Sequence, residues 1–219
     1  MHPTLISSTF VLLLATTGAS AQTLVNGQIF TNGLAIVDAP APNSPLHAGS
    51  ATPIAIDISG DGHLDQRASV PGSGASTRFD SLELYLVSYA TKLNLTVSSG
   101  PGLLEQEQGS TVKHLSFNVS SCVPAGDYNL TLYEGSHIDG AAYFSITPYP
   151  VTVMNDRPSD ACTDDTNALQ AFPQQSSPPP QTPWLNGTTV TTTASGESRL
   201  RPATAMVFPL AAALLALAL

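Results

Sequence analysis

One short acidic loop carries the residue types and the spacing of a metal site. It reads AIDISGDGHLDQ, in which Asp57, Asp61 and Asp65 occupy positions 1, 5 and 9 of a calcium-binding loop. Calcium prefers hard oxygen ligands, and acidic side chains spaced around a glycine supply several of them from one tight turn. The match is incomplete, because position 3 is a serine and position 12 is Ala68, where a bidentate glutamate is needed. We therefore interpret the loop as a Ser-Gly-Asp turn, with a calcium site at the three aspartates as the alternative.

Catalytic residue types occur in the sequence without the spacing that catalysis needs. There is no G-x-S-x-G elbow to propose a serine nucleophile. The histidines after residue 21 have no i, i+2 or i, i+4 partner with which to begin a metal site. Glu105 and Glu107 would share one face of an extended strand, which is typical of a solvated edge and not of two facing catalytic carboxylates. We therefore predict that the protein is not an enzyme and uses no cofactor.

The N-terminal end of the chain carries an export signal. Residues 5–17 are mostly apolar and are followed by Ala19-Ser20-Ala21, with small residues at positions −3 and −1. This pattern is typical of a secretory signal peptide, and the run is shorter than the roughly 20 residues that a spanning helix needs. We expect a signal peptide over residues 1–21. Cleavage after Ala21 would expose Gln22, which excludes the N-terminal histidine that a copper monooxygenase uses as a ligand.

The C-terminal end carries the pattern of a lipid-attachment signal. Residues 205–219 form an apolar tail, and the polar spacer ESRLRPAT separates this tail from Ala194, Ser195 and Gly196. Small residues, a polar spacer of about 8–12 residues and an apolar tail constitute the signal for a GPI anchor. We predict attachment at Ala194 or Ser195 and removal of a propeptide over residues 195–219. A short tail-anchored helix is the alternative.

Composition restricts the partners of the chain. Its 219 residues have a formal net charge of −9, and only 11% of them are charged. Scattered Lys and Arg in an acidic chain argue against nucleic acid or an anionic membrane surface as a partner. Because so few residues are charged, the surface must be built largely from Ser, Thr, Asn and Gln, which suggests a glycosylated protein.

Alternating apolar residues dominate the middle of the chain. Ile54, Ile56 and Ile58 share one face of TPIAIDIS, and SLELYLVSY, KLNLTVS, HLSFNVS and DYNLTLYE alternate in the same way. Period-two alternation, with Gly, Pro, Asn and Asp between the segments, predicts short β-strands. Seven or eight such strands can bury their apolar faces only against one another. We predict an all-β antiparallel sandwich within residues 22–153.

Four sequons predict N-linked glycans. Asn94, Asn118 and Asn129 each lie between two apolar residues of a predicted strand, and Asn186 lies further along the chain. In all three strands the asparagine occupies the polar phase, where a glycan can reach solvent. Strand phase and glycan placement therefore agree.

The alternating pattern ends after Met154. Residues 154–194 are polar and rich in Pro, Ser and Thr, a composition that cannot bury enough apolar area to offset ordering entropy. We interpret this segment as a disordered stalk between the sandwich and the anchor. Two lone cysteines in an oxidising compartment usually pair, so we expect a disulfide between Cys122 and Cys162 that ties the start of the segment to the domain.

A set of motifs between Ala39 and Val153 resembles a known family. They are the Pro-rich APAPNSPLHAGS, the strand TPIAIDIS, the L-x-L-Y-L strand from Leu82, the turn VPAGDY ending at Tyr128, and the closing strand YFSIT. The set resembles the immunoglobulin-like N-terminal domain of fungal cell-wall β-1,6-glucan assembly proteins, which also occurs in Ser/Thr-rich GPI-anchored surface proteins. The resemblance implies an immunoglobulin-like fold and a wall glycoprotein without catalytic residues.

These observations together indicate a location and a function. We expect an extracellular glycoprotein on the outer leaflet of the plasma membrane or in the cell wall, with a structural or wall-assembly role and cell-wall glycans as partners. The alternative is an adhesin that binds a glycan or a protein, assisted by calcium, through surfaces such as the loop over residues 59–80. Aromatic side chains exposed on one sheet face would favour this alternative.

Overall fold

The computed structural model describes residues 23–159 and parts of the segment that follows, namely Cys162 and residues 166–169, 176–179, 183–184 and 191–192. The predicted signal peptide, the GPI attachment at Ala194 or Ser195, and the sequon at Asn186 lie outside the described residues. Within the described part of the chain, no helix is long and apolar enough to cross a membrane.

Two β-sheets pack face to face. Sheet 1 contains β1 (Thr23–Val25), β2 (Gln28–Phe30), β3 (Ile36–Ala39), β5 (Ser50–Asp57), β8 (Val112–Val119) and β11 (Thr191–Thr192). Sheet 2 contains β4 (Pro45–His47), β6 (Arg78–Ser88), β7 (Leu93–Ser98), β9 (Gly126–Ile138) and β10 (Ala141–Met154). The strand order is β11-β1-β2-β3-β5-β8 in sheet 1 and β4-β10-β9-β6-β7 in sheet 2. The predicted all-β sandwich is confirmed.

The strand order is that of an immunoglobulin-like domain. The run β10-β9-β6 corresponds to strands G, F and C of such domains, and β5 beside β8 corresponds to B beside E. The Tyr128 hydroxyl near the start of β9 donates to the Pro124 carbonyl at 3.0 Å, which is the tyrosine corner of this fold. Two residues further, where antibody domains carry a cysteine of the inter-sheet disulfide, stands the buried Leu130. Apolar packing therefore replaces the disulfide in the core.

Two details of the strands differ from the sequence prediction. Ten strands, not seven or eight, lie between Thr23 and Met154, and β4 pairs with β10 in parallel, not antiparallel. Strands β1, β2 and β4 have only three residues each. Such short strands cannot show a period-two pattern, so the sequence does not reveal them.

The apolar phases of the longer strands form the core. Ile54 and Ile56 of β5 face Leu82, Leu84 and Leu86 of β6 across the sandwich, and all five are at most 2% exposed. Burial of each such side chain contributes roughly 1.5–3 kcal/mol. The predicted alternation is correct for these strands because the core lies on one side of each sheet only.

The connection after β7 is not extended. Gly102–Glu105 form a short helix, α1, in which both Leu103 and Leu104 are buried. Two adjacent apolar residues cannot both face the core from a strand, because successive side chains point to opposite faces. The extended conformation considered for Glu105 and Glu107 is therefore wrong. The loop before β6 contains a 3-10 helix over Gln66–Ser69.

One carboxylate lies inside the sandwich and joins the two sheets. Glu134 of β9 accepts the backbone N–H of Leu34 at 2.7 Å and that of Ala35 at 3.0 Å, both in the connection between β2 and β3. Gly33 is required beside it, because a Cβ there would lie 2.3 Å from a Glu134 carboxylate oxygen. Burial raises the pKa of Glu134, and the backbone hydrogen bonds from Leu34 and Ala35 only partly oppose that rise.

Loss of this carboxylate is expected to destabilise the domain. In Glu134→Ala the N–H groups of Leu34 and Ala35 lose their acceptor, which should lower the free energy of unfolding by about 2–4 kcal/mol. Urea unfolding measures the difference. Glu105→Ala, at an exposed position of α1, serves as the control and should change stability by less than about 0.5 kcal/mol. Equal effects of the two substitutions would contradict the role of Glu134.

The raised pKa of Glu134 predicts that the stability contributed by this residue decreases as the pH rises. Because the folded-state pKa lies above the unfolded value, the contribution of Glu134 is complete below about pH 4.5 and is lost as the pH rises through the folded pKa. The free energy of unfolding of the wild type, minus that of Glu134→Gln, should therefore fall as the pH rises above 4.5. The subtraction removes the contributions of other titrating groups. A difference that rises with pH would show that Glu134 is stabilised as the carboxylate.

Candidate functional site

The outer face of sheet 2 carries a continuous groove made of two clefts that share Ser81 and Glu83. The aromatic cleft has a volume of about 370 Å³ and lies over β6, β9 and β10. The loop cleft has a volume of about 670 Å³ and lies between the 3-10 helix and α1. Both volumes fall in or near the range of small-molecule sites in proteins, roughly 300–1,000 Å³. Neither cleft was predicted, because their residues come from segments far apart in sequence.

Three aromatic rings line one end of the groove. The rings of Tyr85 and Tyr133 meet edge to face, with centroids 5.5 Å apart and planes at 90°. Phe144 continues the cluster at 6.5 Å from Tyr133. Burial raises the pKa of both phenols above their usual value, so the tyrosine hydroxyls are neutral at physiological pH. Edge-to-face packing restrains the rings of Tyr85 and Tyr133, so they form a fixed aromatic surface on the cleft.

Glu83 lies where the two clefts meet. One carboxylate oxygen accepts the Tyr85 hydroxyl at 3.0 Å, and the other accepts the backbone N–H of Gly100 at 3.0 Å. These two bonds hold the carboxylate in one orientation beside the aromatic cluster. Asn94 and Asn167 add amide groups to the same cleft.

Two charged side chains of the loop cleft, Lys113 and Asp80, have partners within the protein. The ammonium group of Lys113 is buried and donates to the carbonyl oxygens of Gln106 and Glu107, and burial lowers the pKa of Lys113. Asp80 forms an ion pair with Arg78 at 3.0 Å and contacts the His137 ring at 2.6 Å. These groups shape the cleft and have partners before any ligand enters.

The predicted metal residues act in turn and helix-cap contacts. Asp57 accepts the backbone N–H groups of Ser59 and Asp61 through its two oxygens. Asp65 caps the 3-10 helix by accepting the N–H of Arg67 at 2.8 Å. Across the described residues, no three or more His, Cys, Asp or Glu side chains are grouped so as to hold a metal ion. The geometry is that of the predicted turn and gives no support to the calcium alternative.

The predicted disulfide is confirmed. Cys122, in the turn between β8 and β9, is bonded to Cys162 in the segment after β10. The bond fixes the start of that segment beside the sandwich. A further bond from the N–H of Ser159 to the Ser121 carbonyl, at 3.1 Å, lies next to it.

The three described sequons have different surroundings. Asn118 on the edge strand β8 is exposed, and Asn129 on β9 is half-buried. Asn94 on β7 is only 8% exposed, because its side-chain amide donates to the Ala168 carbonyl at 3.1 Å. The strand phase does point Asn94 outwards, as the sequence indicates. Chain that follows the sandwich covers it, which strand periodicity cannot reveal.

Trp184 of the Pro-rich segment packs on the domain. Its indole N–H donates to the Leu34 carbonyl at 3.0 Å, and its ring stacks on His63 with centroids 5.9 Å apart. The same ring lies over Gly60, where a Cβ would come within 2.6 Å of it. Sequence analysis did not find this contact. A lone tryptophan in a Pro-rich segment was the only available signal.

No protein-family model and no curated protein matches this chain.

The packing of Trp184 can be tested by its fluorescence, because it is the only tryptophan of the chain. Gly60→Ala places a methyl group in the indole site and should shift the emission maximum to longer wavelength as the ring becomes solvated. Gly62→Ala is the matched control, since Gly62 also has a positive φ but nothing lies within 4 Å of its Cβ position. An unchanged spectrum in Gly60→Ala, with the fold retained by circular dichroism, would contradict the packing.

Proposed function

We propose that this chain is a non-catalytic extracellular glycoprotein, attached to the cell surface or wall by a GPI anchor, whose immunoglobulin-like domain binds wall glycans through the groove. The observation that carries the binding part is the aromatic cluster beside Glu83. Aromatic side chains on one face of a sheet favour the adhesin alternative over a purely structural role.

The chemistry of the groove suits a sugar chain. The faces of Tyr85, Tyr133 and Phe144 offer apolar, polarisable surfaces for the C–H faces of pyranose rings. Glu83 and the side-chain carbonyl of Asn167 offer acceptors for hydroxyl groups. Because packing and hydrogen bonds already restrain these side chains, little conformational entropy is lost when a ligand binds. A neutral glycan also suits an acidic protein with few charges.

Two of the three carboxylates that line the groove, Glu83 and Asp80, favour binding over hydrolysis. Glycoside hydrolysis needs one carboxylic acid and a second carboxylate that face each other across the scissile bond. Both oxygens of Glu83 already accept hydrogen bonds, and Asp80 is paired with Arg78 and His137. These contacts hold the two groups as positioned acceptors, which favours recognition without turnover.

The proposed GPI attachment rests on the terminal signals of the chain. The proposed location in the cell wall rests on these signals and on the motif resemblance. A signal peptide with a GPI signal directs a chain to the outer leaflet, and the resemblance to domains of β-1,6-glucan assembly proteins points to the fungal wall. The disulfide between Cys122 and Cys162 supports an oxidising compartment. A role in wall assembly is compatible with glycan binding, because assembly requires contact with wall polymers.

Substitution in the aromatic cluster tests the binding site. Tyr133→Ala removes the central ring and should weaken binding to soluble β-1,6- and β-1,3-glucan oligosaccharides at least tenfold. Isothermal titration calorimetry measures the affinities. Tyr143→Ala is the control, since Tyr143 lies on neighbouring β10 but outside the lining of either cleft. Glucan binding that survives Tyr133→Ala unchanged would place the site elsewhere.

Release by phosphatidylinositol-specific phospholipase C tests the anchor. Cells should release the protein after treatment, and peptide mapping of the released material should end at Ala194 or Ser195. Recovery of peptides from residues 205–219 in the mature protein would overturn the anchor. Such peptides would indicate a tail-anchored helix instead.

A further inference from the structure

The segment after β10 pairs with two edges of sheet 2. On β7, Thr166 forms a bridge with Leu95. On the first half of β10, Ser177 forms a bridge with Phe144. Strand β7 ends the sheet on one side, and β4 covers only the last three residues of β10 on the other. The segment therefore occupies edges that would otherwise present free backbone N–H and C=O groups.

At β7 the segment binds the sequon itself. The N–H of Asn167 donates to the Asn94 carbonyl at 2.7 Å, and the Asn167 side-chain amide donates to the Thr96 hydroxyl at 2.9 Å. The Asn94 side-chain amide in turn donates to the Ala168 carbonyl. Both groups that define the sequon, the asparagine amide and the threonine hydroxyl, are therefore bonded to residues 167–168.

The same residues form part of the groove. Asn167 and Ala168 line the aromatic cleft together with Tyr85, Tyr133 and Phe144. On the far side, Ser177 exchanges two backbone hydrogen bonds with Phe144, at 2.6 and 3.3 Å. Asn167 and Ala168 thus line the cleft and cover the glycan acceptor atom at the same time, and Thr166 pairs beside them with Leu95. Residues 166–168 are called the wall below.

We propose that residues 166–168 and an N-linked glycan on Asn94 are alternative occupants of one site on β7, and that the groove is complete only when Asn94 is free of glycan. The glycan is attached to the side-chain nitrogen that now contacts the Ala168 carbonyl, and a sugar ring there needs the volume that the wall fills. A chain glycosylated at Asn94 has an open β7 edge and an incomplete cleft. The second half of this proposal rests on the proposed glycan binding, whereas the exclusion itself does not.

Hydrogen exchange on separated glycoforms tests the exclusion. The full chain is secreted from a host that performs N-glycosylation and from one that does not, and Asn94 occupancy is assigned by glycopeptide mass. The Asn167 amide should exchange at least 100-fold more slowly in molecules without the Asn94 glycan than in molecules with it. Equal protection of this amide in both forms would overturn the proposal. Occupancy at Asn118 and Asn129 is the internal control for glycans elsewhere.

If the glycosylating host leaves Asn94 unmodified in the wild type, glycan occupancy in a second variant tests the exclusion instead. Asn167→Pro removes the N–H that bonds to the Asn94 carbonyl and should loosen the wall, so that Asn94 occupancy rises while that of Asn118 and Asn129 stays the same. Unchanged Asn94 occupancy in this variant would overturn the proposal.

The role of the wall in binding is measured separately with the same glucan oligosaccharides. The form without the Asn94 glycan should bind them at least tenfold more tightly than the form with it. If neither form binds glucan while exchange shows the exclusion, the proposed function fails and the exclusion stands. If both forms bind equally well, the wall is not part of the binding site and that half of the inference is wrong.

Discussion

The buried carboxylate of Glu134 satisfies a requirement that the two sheets create together. The turn between β2 and β3 places the N–H groups of Leu34 and Ala35 inside the sandwich, away from any strand partner, and a buried unpaired N–H costs about 1–3 kcal/mol. Glu134 on the opposite sheet accepts both, and Gly33 leaves room for it. The carbonyl of Leu34 is bonded to Trp184. Leu34, in the connection between two strands of sheet 1, is thus hydrogen-bonded to Glu134 of sheet 2 and to Trp184 of the segment after β10.

The aromatic end of the groove is built on β6 and β9, the strand that carries Glu134. Each strand turns one row of side chains to the core and the other to solvent, so Leu84 and Leu132 hold the sandwich together while Tyr85 and Tyr133 form the cleft. The register of β6 against β9 fixes the spacing of the outward rings. Stability and recognition therefore use alternate residues of the same strands.

Sheet edges explain why the chain after β10 returns to the domain. An uncovered edge invites pairing with another chain, and the described part of the segment after β10 covers part of both edges of sheet 2. Residues near Thr166 and Ser177 pair with β7 and β10, and at β8 the Glu107 side chain accepts the N–H of His114. The disulfide at Cys162 starts the returning segment close to the sheet that it covers. Covering the edge and covering the Asn94 sequon are consequences of the same contacts.

The sequence alone determined the strand class, the apolar phases of the longer strands, the turn at Asp57 and the pairing of Cys122 with Cys162, because alternation, turn chemistry and a cysteine count are local properties. The three-residue strands, the buried position of Glu134 and the groove were decided only by tertiary structure. Each of these requires residues far apart in the chain, and no local pattern records which distant backbone group a side chain will meet. The same reason applies to Asn94. The sequence predicts that Asn94 lies on the polar face of its strand. Its burial depends on residues more than seventy positions later, which contact it at the edge of the sheet.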